Sequence, residues 1–125
     1  MVSFKINEKI YNVPVVVSVG NWNKCREVLF KKYKLQKEEQ CHHGGLCEWY
    51  EEKGWALNSI WLPEFNYEYP THIGVLVHEI EHACNNIFNL MSIPVLDNQS
   101  NHAYIYLKEY FTIAILTKLK RFKNE

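Results

Sequence analysis

Charge of one sign is what this sequence lacks most. Its 14 Lys and Arg residues balance 14 Asp and Glu residues, for a formal net charge of zero. A nucleic-acid partner usually demands a basic face, so none is expected. The one basic cluster, Lys118, Lys120, Arg121 and Lys123, falls in the last turns of a predicted helix, where cations favour the helix dipole. Long apolar runs are missing too. The richest stretch, near Ile113 to Leu116, is short and interrupted, whereas a bilayer span takes about 20 residues. The opening MVSFKINEKIYNVPVVV lacks the basic flank and apolar run of a secretory signal. A cytoplasmic protein with no membrane partner is therefore expected. There is no internal repeat and no low-complexity segment.

Cysteine is sparse and irregularly placed, at Cys25, Cys41, Cys47 and Cys84. In a cytosolic chain this spacing predicts free thiols rather than a disulfide framework. Cys41-His42-His43-Gly44-Gly45-Leu46-Cys47 separates its cysteines by five residues, more than the usual zinc spacing. It reads as a loop.

What is present is the material of one ordinary domain, residues 1–125, with 47% hydrophobic and 22% charged residues. A chain of this size buries a core without staples, so a bound metal would be functional rather than a folding aid. Two strands are predicted at Ser3–Asn7 and Ile10–Val19 around a turn at Asn7-Glu8-Lys9. The β-branched VPVVVSV run predicts a strand covered on both faces, with Pro14 at a bulge or unpaired position. Asn23 would cap a helix from Lys24 to about Lys34. Leu46–Glu51 and Trp55–Leu62 read as a hairpin around Glu52-Lys53-Gly54. A helix capped by Thr71 follows, then a last helix from about Asn101 to Phe122, apolar nearly all round and expected to be well buried. The order β-β-α-β-β-α-α predicts an α+β domain, a small mostly antiparallel sheet packed on helices.

The second helix carries the chemistry. His78-Glu79-Ile80-Glu81-His82 places two histidines four residues apart, on one face and one above the other. Two imidazoles so placed converge on one point, as two ligands of a Zn2+ ion do. Glu79 lies one residue round the helix, placed to take a proton from a water that the metal acidifies. The apolar stripe through Ile73, Leu76, Val77, Ile80, Ala83, Cys84, Ile87 and Leu90 is complete without these histidines. They belong instead to a separate polar stripe with Asn85 or Asn86, and Asn89.

A catalytic zinc takes a third protein ligand and keeps an open position. The sequence offers His102, Glu109, Asp97, Glu81, His42 and His43. His102 is favoured, because it opens the next helix and small Ala103 beside it permits close helix approach. Glu109 is seven residues on, about 10 Å along the axis, so the two cannot both be ligands. Tyr67, Tyr69, Tyr104, Tyr106 and Tyr110 are possible donors to a tetrahedral oxyanion; Tyr106, one turn after His102, is the one singled out. The strand Ala56–Trp61 is a candidate edge for strand addition by a peptide, or a plain interior strand.

HEIEH followed, 19 residues after His82, by Asn101-His102-Ala103 resembles the thermolysin-like zinc peptidases, the gluzincins. In those the third ligand is a glutamate within Asn-Glu-Ala, where this chain has histidine. The resemblance implies His78, His82 and His102 as zinc ligands and Glu79 as general base. The aspartate that supports a zinc histidine in the family is replaced here by Tyr106. Ile60-Trp61-Leu62-Pro63, HEIEH and His102-Ala103-Tyr104-Ile105-Tyr106-Leu107 are similar to a group of small bacteriophage and prophage proteins. That likeness runs from Trp55 to Leu116 and implies a minimal zincin-like fold. The expected function is a zinc metallopeptidase acting on a peptide or protein substrate. The alternative is an inactive zincin-like interaction or assembly protein of a phage, with a structural zinc.

Overall fold

The structure, a computed structural model, describes residues 1–35, 44–94 and 98–123. Over these residues it is an α+β fold, with one four-stranded, mostly antiparallel sheet and three helices. The strands are β1 (Val2–Ile6), β2 (Val15–Val19), β3 (Leu46–Glu52) and β4 (Trp55–Leu62). The helices are α1 (Trp22–Tyr33), α2 (Pro70–Leu90) and α3 (Asn98–Lys123). In space the strands run β1-β2-β4-β3. β1 pairs antiparallel with β2, β2 parallel with β4, and β3 antiparallel with β4.

This order makes β2 and β4 interior and β3 an edge. The β-branched run of β2 is buried on both faces, as its composition predicts. Val15 and Val17 join the core under α2 and α3, while Val16 faces the α1 side with Leu29 and Leu57. The Ala56–Trp61 segment, for which the sequence allows either a peptide-accepting edge or a plain interior strand, is the interior strand. Its neighbours β2 and β3 occupy both its edges.

Local chemistry moves several boundaries. The β1–β2 connection is longer than a tight turn, because β2 begins only after Pro14, which has no N–H to give. Buried Glu8 organises it by accepting the main-chain N–H groups of Ile10 and Tyr11. Asn21, not Asn23, caps α1, accepting the Lys24 N–H at 3.1 Å. Lys34 closes α1 in the left-handed conformation at φ 60°. α2 begins at Pro70 rather than after a Thr71 cap, since proline suits the first helical position.

α3 is not buried all round. Tyr104, Leu107, Phe111, Ile115 and Leu119 form its buried stripe, while Ile105, Tyr106, Tyr110 and Ile113 are exposed. Packing one helix against one partner layer covers only one stripe, whatever the composition of the other face. The described residues contain no helix long and apolar enough to cross a membrane.

A candidate metal centre on helix α2

The site is built where α2 crosses the edge of the sheet. Leu76, Ile80, Ala83, Cys84, Ile87 and Phe88 turn into the core, and this fixes the rotation of the helix. His78, His82, Asn85 and Asn89 then face outward, as the separate polar stripe predicts. The Nε2 atoms of His78 and His82 lie 3.2 Å apart, with the rings at 80° to one another. Two nitrogens at about 2.0–2.1 Å from a tetrahedral zinc would be roughly 3.3 Å apart. The pair also fits an N–H···N hydrogen bond, so in either state the rings share one focus.

Glu79, unlike the exposed His78 and His82, is buried, at 6% exposure. It lies between α2 and the start of β3, and Gly45 makes that approach possible. A Cβ at Gly45 would stand 2.8 Å from Val75 Cγ1, 3.3 Å from Leu62 Cδ2 and 3.4 Å from Glu79 Cγ. Glycine therefore lets the strand run against the carboxylate side of the site helix.

Two clefts meet at Gly45, His78 and Glu79. One, of about 340 Å³, continues past His82 and Asn86 and is walled by Leu46, Cys47 and Trp49 of β3. The other, of about 550 Å³, follows the first turns of α2 past Thr71, Gly74 and Val75. His78 and Glu79 thus line both clefts, and His82 lines the first.

β3 alternation explains the wall. Cys47 and Trp49 face α2, whereas Glu48 and Tyr50 face α1. The Cys47 thiol lies 3.7 Å from Asn58 Oδ1. Burial, then the charges of Glu79 and Glu48, raises the Cys47 pKa and keeps the thiol protonated. Cys84, core-facing as expected, is pushed up to about 12, by burial first and then by Glu81. Cys25, Cys47 and Cys84 are free thiols, as expected. Cys47, Trp49 and Asn58 were missed as site residues by sequence reasoning, although the period-two pattern of Leu46–Glu51 could have placed the first two on the α2 side.

The other anticipated residues fall elsewhere. His102 and Tyr106 are exposed on α3. Each is two residues from Tyr104, about 200° round the helix, and Tyr104 is the one turned to α2. Among the described residues, no group of three His, Cys, Asp or Glu side chains is placed to hold a metal, so the structure does not gather His102 with His78 and His82. Glu109 is exposed. Tyr110 donates to the Asn7 carbonyl, and Tyr69 stacks edge-on against His72. Neither cleft includes any of the five tyrosines. Cys41, His42, His43 and Asp97 lie outside the described residues.

Glu81, inside the motif, locks the two helices together. It accepts from Tyr104 Oη at 2.6 Å and pairs with Lys108 Nζ at 2.6 Å. Burial alone would raise its carboxyl, but the Lys108 and Tyr104 hydrogen bonds and the charges of Lys108 and His82 outweigh it, and the pKa is lowered. A lowered carboxylate contributes stability above its unfolded pKa, about 4.3, which is lost as pH falls through the folded value. Urea unfolding between pH 6 and 3 should therefore show an acid-side loss that Glu81→Gln reduces. The pair is partly exposed, so the reduction should be about 0.2–1 kcal/mol.

Comparison with family models, with curated protein sequences and with solved structures finds no match.

Proposed function

We propose that this chain is a metal-dependent hydrolase of peptide bonds, with zinc as the metal. The observation that carries the reading is the convergence of His78 and His82, 3.2 Å apart at Nε2, beside a buried Glu79 in one open cleft. The donor set and its spacing fit two zinc ligands. The ion, when bound, supplies Lewis acidity at the scissile carbonyl and acidifies the attacking water. Glu79 takes the proton from that water and passes it to the leaving amine. The edge strand β3, beside the cleft, offers an extended peptide main-chain groups to pair with.

A structural zinc would require four protein ligands and a closed site. Two converging histidines fronted by about 340 Å³ of cleft suit an open site better.

The test is metal content per chain, measured by elemental analysis on protein purified without a metal-binding tag or chelator. About one zinc per chain is expected, with His78→Ala and His82→Ala each losing it. Absence of zinc after incubation and desalting would refute the reading. The same measurement on His102→Ala locates the third ligand. Loss assigns it to α3, and retention assigns it to another part of the chain.

A further inference from the structure

We propose that Asn86 reads the backbone of an extended peptide in the cleft, accepting a peptide N–H on its Oδ1 and donating its free N–H to a carbonyl. This rests on the peptide substrate of the preceding reading and names a residue that positions it.

A chain of forced hydrogen bonds sets the orientation of Asn86. The Ala83 carbonyl on α2 only accepts, so the Asn58 atom that meets it at 3.3 Å is Nδ2. Asn58 Oδ1 is then the acceptor on the other side. It takes Asn86 Nδ2 at 2.9 Å, with the Cys47 thiol at 3.7 Å. Asn58 is fully buried, and its main-chain N–H is held by the Pro14 carbonyl at 3.1 Å. The Asn86 carboxamide therefore has a fixed face, not a choice of two. One N–H is used on Asn58. Among the described residues nothing else bonds its side chain, so Oδ1 and the second N–H remain for a ligand in the cleft that Asn86 lines.

A carboxamide with one donor and one acceptor free complements one residue of an extended peptide, whose own N–H and C=O point to the same side. Asn86 stands four residues past His82, about 6 Å along α2. An extended peptide advances roughly 3.3 Å per residue. The peptide residue that Asn86 meets is thus roughly two residues from the one lying over His82. Recognition of this kind ignores side-chain identity at that position but demands a main-chain N–H, so proline is excluded there.

The experiment uses fluorescent decapeptides drawn from a mixed library, followed by a series of the best one methylated at each backbone nitrogen in turn. Turnover is measured on zinc-loaded wild type and Asn86→Ala. Affinity is measured by anisotropy on Glu79→Gln with and without Asn86→Ala. Asn86→Ala is expected to raise KM and Kd about tenfold with little change in kcat. Methylation at one position should cost the wild type about tenfold and cost Asn86→Ala nothing. The scan on wild type needs no altered protein, so a folding defect cannot mimic it. Coincident methylation profiles for the two proteins, with cleavage intact, would overturn the role of Asn86 and leave the hydrolase reading standing. Peptides bound with the Asn86-dependent profile but never cleaved would support the recognition and remove the hydrolase reading. No peptide bound or cleaved would overturn both.

Discussion

Replacing Glu79 by glutamine should lower peptide turnover by about 10²–10⁴-fold, the usual contribution of a general base, while leaving zinc content unchanged. The reasoning is geometric. His78 and His82 converge on one focus, and Glu79 is turned aside into the space beside Gly45. The amide matches the carboxylate in shape and fits the same buried space, but it takes no proton at neutral pH. The near-isosteric exchange preserves the packing of the buried side chain, so the fold should be retained. Three measurements on one variant are needed: metal per chain, urea midpoint and kcat/KM on a cleaved peptide. Retained turnover would remove Glu79 from the chemistry. Loss of zinc together with turnover would show that Glu79 holds the ion rather than acting beside it. A protein that uses zinc only to pin helices would keep its metal and would cleave no peptide before or after the change.

The fold class and the order of strands and helices follow from local patterns: a β-branched run for β2, a helical apolar stripe for α1 and α2, and turn residues between them. The apolar stripe of α2 determines which way His78 and His82 face, and its members Leu76, Ile80, Ala83, Cys84 and Ile87 are legible in the sequence, whereas Phe88 is buried in place of Leu90. The cleft wall was much less legible. Its side chains come from β3 and β4, and only the strand order β1-β2-β4-β3 brings Cys47, Trp49 and Asn58 to α2. Strand order is a non-local property that no window of residues contains. The same cause leaves the sequence unable to decide whether β4 is a peptide-accepting edge or an interior strand, and the strand order makes it interior. On α3, spacing from the HEIEH motif pointed to His102, but rotation about the helix axis is set by Tyr104, Leu107 and Phe111, and these leave His102 outward. Arg26 illustrates a further limit. It lies on the inward face of α1 beside Trp22 and Cys25, where a sequence pattern predicts an apolar residue, and it is 2% exposed.

That buried arginine should give the largest single loss of stability. Its guanidinium pairs with Glu48 of β3, whose side chain is 9% exposed. Tyr50 Oη closes the group, accepting from Arg26 at 3.3 Å and donating to Glu48 at 3.1 Å. The guanidinium also sits 3.9 Å over the Trp22 ring. Burial, then the Glu48 charge, pushes the Tyr50 phenol up, so it remains a donor at neutral pH. Arg26→Met removes one partner and leaves the Glu48 carboxylate desolvated beneath α1, a change that costs about 3–5 kcal/mol in comparable buried pairs. Replacing both, as Arg26→Met with Glu48→Leu, removes the orphaned charge and should recover most of that loss. Urea unfolding of the two single variants and the double variant forms the cycle that tests it. Losses that simply add would mean the pair contributes no coupling. The consequence reaches the cleft, because Glu48 lies between Cys47 and Trp49 on the strand that walls it. Freed from α1, β3 loses one of the contacts that fix it, although its ladder with β4 remains. The Arg26→Met protein, assayed well below its unfolding midpoint, should therefore keep its zinc yet show a raised KM for peptide.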